Sequence, residues 1–552
     1  MKFKKSKPTL SIYGIKDIKN SGYPAFVHDH NLTFFDKGSI LWYIQLERIT
    51  RKKYDNSIGQ HITSLIRSKK WMHGNFDLVF VDNIIGRAFI SDDGEVRFET
   101  SINNALVDGL EVGNCWWYGK ERDAYILNHE LAHIYSCLPF FGPFKENSLL
   151  VHFDGGASLS NFSSWAYKNE KLTKIEYHWD LKYLSSFFNA NALNFSIIGA
   201  KEREQHSVPG KLMGFASFGK YNNEIEAWLK ENQYFQNIWR KPSVFFEKAL
   251  NDFGIQLKSF NQHDKFIQDV AATFQFIFQR DFFQKIADLK NMTNADYLYL
   301  TGGSALNIVV NSQIVNSKLF KDVFVPPCTN DSGLSIGAGA FVEQLKHGKV
   351  NMHSTYLNNW EIENYKAEYT AQDVLQTANL LKEGKVVAVC NGFAECGPRA
   401  LGNRSILALA NSKKLAKKVS EEHKKREWYR PVAPIMLEKN AKYFTGLNQI
   451  HHLSKYMLLD FNILNEKQKE IEGVVHVDGT SRIQTIYNRD ENPFIFDLLT
   501  VLDESFGIKA LINTSFNSKG EPIVHTTNDA MVSAKNMGID AVVLNGKIQI
   551  IK

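Results

Sequence analysis

Two apolar runs in this chain end on adjacent glycines, and that repetition limits its fold more than any bulk property does. The first, LLVHFDGGASLSNFS (149–163), stops at Asp154-Gly155-Gly156. The second, ADYLYLTGGSALNIVVNSQIV (295–315), stops at Gly302-Gly303 and then takes up helical spacing. A strand that runs into a tight glycine turn is a unit of an α/β fold. Two such units predict a duplicated α/β core with a cleft between its halves. Between them, VFFEKAL and FIQDVAATFQFIFQRDFFQKI place apolar residues at helical intervals, so 243–290 reads as long helices. Upstream, NFDLVFVDNIIGRAFISD (75–92) has the β-branched runs of strands.

The text changes character near 355–375, where TYLNNWEIENYKAEYT is mixed and polar and reads as a connector. AQDVLQTANLLKEG then predicts an amphipathic helix ending at Gly384, and KVVAVCNG a buried strand. Strands and helices alternate from there to Lys552. The division this implies is a first domain over 1–360 and a second over 375–552. A chain of 552 residues suits about three or four structural units. With 44% hydrophobic and 22% charged residues it has the composition of a soluble globular protein with a large core.

A net charge of +6 makes no case for nucleic-acid binding by the whole molecule. Five cysteines without a C-x-x-C, in a long chain, argue against a disulfide framework and for a reduced, cytoplasmic setting. The basic start MKFKKSKPTLSIYG lacks the apolar segment of a secretory signal, and no run of ~18 apolar residues offers a membrane span.

NHELAH (128–133) contains the zinc-protease pattern H-E-x-x-H. His129 and His133, four apart on a helix, share one face and suit one metal ion. A protease needs a third ligand downstream. The positions that would carry the metzincin glycine and histidine are Ser136 and Pro139, and Pro139 breaks the helix before Glu146 could serve. The alternative for the pair is two core histidines.

Between Arg399 and Arg430 stand ten Lys/Arg against three acids. KKLAKK reads as a solvated helix face. Arg399 and Arg404 sit among Gly397, Pro398, Gly402 and Asn403, which bend the chain and leave N–H groups free. A guanidinium fork there suits a phosphate or carboxylate, or else braces the loop through carbonyls. Arg482 in VDGTSRIQT, and Asn513, Ser515 and Asn517 in INTSFNSKGEPI, are further anion-site candidates.

Taken in order, ERITRKK (47–53), NHELAH, HFDGGAS, GKLMGFASFGK (210–220), TGGSALN, VPPCTNDSGLSIGAGA (325–340), GFAECGPRALGNRSILA, KKREWYRPVAPIML, HVDGTSRIQT and NTSFNSKGEPIV resemble the O-carbamoyltransferase family of nodulation, tobramycin and cephem carbamoyltransferases. The resemblance spans nearly the whole chain. It implies an N-terminal actin-like ASKHA domain of duplicated ribonuclease-H-like halves, followed by a YrdC-like α/β domain. It also implies ATP and carbamoyl phosphate as co-substrates, carbamoyl-adenylate formation in the second domain, and transfer to an acceptor hydroxyl in the first.

The acceptor expected is a small metabolite or sugar, with no membrane and no nucleic-acid partner, and a homodimer is compatible. A divalent metal, typically Fe(II), is implied beside the transfer site, with Mg(II) accompanying ATP. The resemblance assigns the metal to His129, His133 and Asp331; capping the following helix is the alternative role for Asp331. It places Asp154 against metal-bound phosphate or the acceptor. Gly155, Gly156, Gly302, Gly303, Asn307 and Lys211 would face the nucleotide. Arg399, Arg404, Lys424, Arg430, Arg482, Asn513 and Ser515 would surround carbamoyl phosphate and ATP, with Arg399 and Lys424 catalytic; Arg51 and Lys53 are further phosphate candidates.

One departure stands out. Family members open with a stretch like G-I-x-x-x-x-H-D-S-A-A-A-L-V; here YGIKDIKNSGYPAFV (13–27) has Lys19-Asn20 roughly where His-Asp is expected. Either His28, Asp29 or His30 substitutes, or the acceptor site differs, or activity is impaired. Two other functions share these domains: threonylcarbamoyl transfer to tRNA, and non-catalytic nucleotide binding by an ASKHA protein.

Overall fold

The computed structural model describes residues 3–15, 27–100, 109–200, 202–234, 242–256, 260–363 and 365–551; Lys19-Asn20 lie outside them. Strands β1 (Thr9–Tyr13), β2 (Asn31–Asp36), β3 (Ser39–Gln45), β4 (Asp77–Val81), β5 (Phe89–Ile90), β6 (Val96–Glu99), β7 (Leu110–Trp117) and β8 (Lys120–Leu127) belong to one ten-stranded sheet. Its centre runs β3-β2-β1-β4-β8, antiparallel as far as β1 and parallel from β1 to β8. A second sheet holds β9 (Ser148–Phe153), β10 (Phe162–Lys168), β11 (Lys171–His178), β12 (Tyr297–Thr301) and β13 (Asp322–Phe324). Its order, β11-β10-β9-β12-β13, repeats the same pattern of directions. The duplication expected from the two glycine turns is therefore present as two five-strand units of one topology. Both β1 and β9 are buried at every position, as strands covered on two faces must be.

The units exchange helices. The helix His129–Tyr135 follows β8 of the first unit but packs on β9 and β12 of the second. The helix Leu334–His347 follows β13 of the second and packs on β1, β2 and β4 of the first. Where the two helices cross, a Cβ on Gly337 would stand 1.7 Å from the Ala132 carbonyl oxygen, so only glycine fits. The expected long helices are Pro242–Asp252 and Lys265–Thr293; the latter packs with Val208–Ala216 and β9.

The expected connector contains a strand. β14 (Tyr356–Asn358) pairs with β3, and β16 (Ala394–Glu395) pairs with β14, so the front sheet takes its last strand from beyond residue 375. The remaining strands are β15 (Val387–Cys390), β17 (Arg404–Leu409), β18 (Ala433–Leu437), β19 (Phe461–Asn462), β20 (Thr480–Ser481), β21 (Gln484–Ile486), β22 (Leu511–Ser515), β23 (Ala541–Leu544) and β24 (Lys547–Ile550). Seven of them form a mixed sheet, β21-β18-β22-β17-β15-β23-β24. The helices Ala371–Lys382 and Pro493–Phe506 share an apolar core with it. The first is opened by a Thr370–Asp373 capping box and stops before Gly384, where the sequence places its end. All five cysteines are buried free thiols. Among the described residues no helix is long and apolar enough to cross a membrane.

Gly337→Ala gains about 1 kcal/mol of helix propensity but must open the helix crossing, an overpacking cost of roughly 1–3 kcal/mol or more. The expected result is net destabilisation in denaturant unfolding, together with loss of metal affinity at the site the crossing assembles.

Candidate functional site

Asn128 opens the helix His129–Tyr135, its Oδ1 accepting the Leu131 N–H at 3.2 Å. The two histidines project from successive turns of this helix with their Nε2 atoms 3.1 Å apart. Each Nε2 lies 3.5 Å from Asp331 Oδ1, and all three residues are buried. Asp331 does not cap the helix it precedes. Its other oxygen accepts from Tyr13 Oη at 2.8 Å, which in turn accepts from Asn83 Nδ2 at 3.2 Å. The three donor atoms lie within 4.8 Å of one another, a spacing compatible with one shared cation.

Burial opposes charge on His129, but Asp331 outweighs it and raises the imidazole to about 9. Burial likewise opposes charge on Asp331, and His28, His129 and His133 together hold its carboxyl well below the usual range. Asp82 accepts from the His129 N–H at 3.0 Å and from the Ser158 hydroxyl, and burial pushes it up to about 7. The protease reading fails on Glu130. One of its oxygens accepts from Leu159 N–H (2.7 Å), Ser160 N–H (3.0 Å) and Ser160 Oγ (3.1 Å), so it braces a turn rather than serving a water.

One carboxylate ties the two glycine turns together. Asp154 accepts from Gly155 N–H at 2.6 Å and from Gly303 N–H at 2.5 Å, and its Oδ2 is 3.7 Å from His133 Nε2. Asp154, Gly155, Gly156 and Gly303 line a cavity of about 1300 Å³. Gly302 does not line it. At φ +93° its hydrogen faces Phe153, whose carbonyl oxygen would be 2.3 Å from a Cβ, so this glycine serves the close approach of turn and strand. Asn307 faces the cavity, paired amide to amide with Gln275 (3.0 and 3.2 Å). Lys211 also reaches it, bound to Glu204 (2.8 Å) and Glu427 (2.9 Å).

The far end of the same cavity is cationic for a topological reason. Arg399, Arg430 and Arg482 lie just before the starts of β17, β18 and β21, and Ser515 ends β22. Because β22 runs antiparallel to β17 and β18, and β21 parallel to β18, all four points meet at one end of the sheet. Glu395 shapes the loop by accepting from the N–H groups of Leu401, Asn403 and Arg404. Arg399, Arg426, Arg430 and Arg482 line the cavity with Asn513, Ser515 and Lys53. Burial, then Arg430, lowers Arg399 to about 10; burial, then Arg399, Arg426 and Arg430, brings Arg482 well below its ordinary value. Burial lowers Lys53 to about 8. Positive groups so crowded and desolvated are matched by an anion.

Three expectations need correction. Arg404 is not a ligand-facing group. Its guanidinium is buried and donates to the carbonyls of His525, Asn391, Asn403 and Gly392 (2.6–2.9 Å), so it braces the loop. Lys424 does not line the cavity. Its ammonium donates to the Ser515 carbonyl and to Asn517 O (2.5 Å) and Oδ1 (3.0 Å), shaping the turn that presents Ser515. Arg51 donates to Ile523 O (2.7 Å) and Pro522 O (3.0 Å) and joins the two bodies.

Arg426 was not singled out by its motif. It donates to Thr514 Oγ1 (3.0 Å) and Ser515 Oγ (3.1 Å) at the cavity wall. In KKREWYR it stands between Lys425 and Glu427, and nothing in its spacing marks it off from its charged neighbours. His28 and Asp29 also line the cavity, with Nδ1 and Oδ2 3.0 Å apart and Asn330 Nδ2 on the same oxygen at 3.0 Å. Burial opposes charge on His28, but Asp331, Asp29 and Asp154 raise it to about 9. His30 is structural: burial lowers it to about 3 and its Nδ1 accepts the Ile58 N–H at 3.3 Å. His28 and Asp29, two of the three groups named from the sequence as possible substitutes for the family's His-Asp, stand just before β2.

Family models described as carbamoyltransferase N-terminus and carbamoyltransferase C-terminus match residues 94–340 and 378–550. An uncharacterised protein of Methanocaldococcus jannaschii is 31% identical over 94% of this chain and 97% of its own length. Nodulation protein NolNO of Sinorhizobium fredii is 25% identical over 94% of this chain and 78% of its own. Among solved structures, full-length HypF in its phosphate- and nucleotide-bound form is 11% identical with a TM-score of 0.31, covering 61% of this chain and 55% of that one. That likeness is too slight to bear on fold or chemistry.

Arg482→Met removes a buried charge repelled by its neighbours. The unliganded protein should unfold at the same temperature or higher, while the affinity for pyrophosphate in calorimetry falls at least ~10-fold, the loss of one charge-assisted contact of about 1.5–3 kcal/mol. Arg404→Lys should do the reverse, lowering stability by about 2 kcal/mol or more as carbonyls lose their donors, with pyrophosphate affinity little changed.

Proposed function

This chain belongs to the carbamoyltransferase family, and we propose that it is an ATP-dependent O-carbamoyltransferase working in two steps along one cavity. The observation that carries this reading is the cavity itself. Asp154 and Asp331, which cover the histidine pair, lie at one end, and Arg399, Arg426, Arg430 and Arg482 line the other. The two front units with one strand order support the actin-like ASKHA reading of that region, and the mixed seven-stranded sheet is compatible with a YrdC-like partner.

At the arginine end, carbamoyl phosphate is hydrolysed to carbamate and phosphate. A carbamate oxygen then attacks the α-phosphorus of Mg(II)-bound ATP, so that pyrophosphate leaves and carbamoyl-adenylate forms. The four guanidiniums gather this phosphate charge and stabilise what develops on the leaving oxygens. Arg399 and Arg430 are poised by the loops described above, and Asn513 and Ser515 supply directional hydrogen bonds.

At the other end, an acceptor hydroxyl attacks the carbamoyl carbon, the carbon–oxygen bond to AMP breaks, and the hydroxyl proton passes to a base. We assign that proton to His28 Nε2, with Asp29 holding Nδ1. Asp331 is the strongest of the charges that raise His28, and a cation held by Asp331 would offset it and make the ring a readier proton acceptor. His129, His133 and Asp331 offer two nitrogens and one carboxylate oxygen, a set suited to Fe(II) or another divalent ion, which when bound supplies Lewis-acid polarisation of a carbonyl or phosphoryl oxygen. Asp154 and the turns at Gly155, Gly156 and Gly303, with Asn307, position the adenylate. The acceptor class is a small metabolite or a sugar.

With ATP, carbamoyl phosphate and a divalent metal, the purified protein should release pyrophosphate. His129→Ala should retain pyrophosphate release yet lose carbamoyl transfer by at least ~100-fold, as expected for removal of electrostatic stabilisation of the reacting centre. Arg399→Ala should lose pyrophosphate release itself. Effects exchanged between the two variants would overturn the division of labour.

A further inference from the structure

A third imidazole stands beside the histidine pair. His152 is on β9, two residues before Asp154, and is fully buried. Its ring stacks on His133 with centroids 5.0 Å apart and planes at 27°, and lies 6.3 Å from His129. A ring nitrogen of His152, one of His133 and an oxygen of Asp154 lie within 4.8 Å of one another. The trio of His129, His133 and Asp331 shares His133 with it. An imidazole nitrogen has one lone pair, so His133 Nε2 can serve only one ion. The two trios therefore surround one ion at most; they overlap at His133, and the donors of one trio are not all within that spacing of the donors of the other, so a shared ion must draw them together.

The hydrogen bonds around His152 favour a ligand over a filler. Its Nδ1 is 3.2 Å from Ser163 Oγ, on the neighbouring strand β10. Its Nε2 is buried and has no hydrogen-bond partner among the described residues. With the proton on Nδ1 and donated to Ser163, Nε2 keeps a free lone pair. That is the usual arrangement of a metal-binding imidazole, whose outer nitrogen is fixed by a second group. Of the three rings, His152 alone has this fixing bond among the described residues, since Nδ1 of His129 and of His133 is unpartnered.

The other histidine cluster differs. His451 and His452 direct Nε2 at Asp322 (3.0 and 3.1 Å), but His451 Nδ1 accepts the Leu453 N–H at 3.3 Å. The His451 proton must then sit on Nε2, so that cluster is closed by hydrogen bonds rather than open to a cation.

We infer that His152 is a ligand of the metal centre, giving it three imidazoles and a carboxylate from Asp331, with Asp154 adjacent. This rests on the metal reading above and extends it. A nitrogen-rich set selects a transition ion over Mg(II) or Ca(II), so the centre and the Mg(II) of ATP do not compete. Ser163 is then a positioning residue acting through His152.

X-ray absorption of the wild-type chain loaded with Zn(II) counts imidazoles without any substitution. Three are expected; a centre that fits two overturns this inference alone, and a chain that takes up no Zn(II) overturns it together with the metal reading. His152→Gln should weaken Zn(II) at least ~10-fold, and Ser163→Ala, which leaves every ring in place, by a comparable ~10-fold or more. Each is measured by chelator competition on protein whose circular dichroism matches wild type. Wild-type affinity in Ser163→Ala together with two imidazoles by absorption would reduce His152 to core packing.

Discussion

The centre of this molecule depends on one close approach, the crossing of the helices His129–Tyr135 and Leu334–His347. Each follows the last strand of one five-stranded unit and packs on the sheet of the other. The exchange carries His129 and His133 out of the first unit and brings Asp331, at the head of the second helix, to meet them. The approach is set by backbone, because Gly337 lies against the Ala132 carbonyl. A side chain there would have to push the helices apart, and the donor atoms that they carry with them. The exchange of helices thus explains where the centre is, at their crossing, and why neither unit has it alone.

The other end of the cavity follows a different logic. Four guanidiniums at one sheet end repel each other and lose hydration, an arrangement that lowers stability and is compatible with folding only because other groups are fully satisfied. Glu395 accepts three backbone N–H groups, Arg404 donates to four carbonyls, and Lys424 holds the Ser515–Asn517 turn. Arg404 and Arg399 come from one glycine-rich loop and have one chemistry. They differ because the carbonyls of Asn391, Gly392, Asn403 and His525 converge on the first, while among the described residues no carbonyl is bonded by the second. The bodies are fastened by Arg51 to Pro522 and Ile523, Arg48 to Gly397 (3.0 Å) and Tyr429 to Ile198 (2.7 Å), which keeps the two ends of the cavity in register.

Much of this was legible in one dimension. The paired glycine turns announced a duplicated core because a strand must end where a glycine takes a conformation other residues avoid, as Gly302 does. Spacing of four put His129 and His133 on one face because 3.6 residues make a helical turn. The motif order identified the family. Lys19-Asn20 lie outside the described residues, whereas His28 and Asp29, named from the sequence as possible substitutes, line the cavity just before β2.

By itself, then, the sequence determined the elements, their duplication and the types of group available for chemistry, because periodicity and turn residues act over a few positions. Only the tertiary structure decided which of those groups face the cavity. Whether an arginine finds carbonyls or open space, whether Glu130 meets a turn or a water, and whether His152 stands beside His133 are set by residues tens to hundreds of positions away. No local pattern encodes such meetings, because long-range packing, not spacing, determines where each polar atom finds its partner.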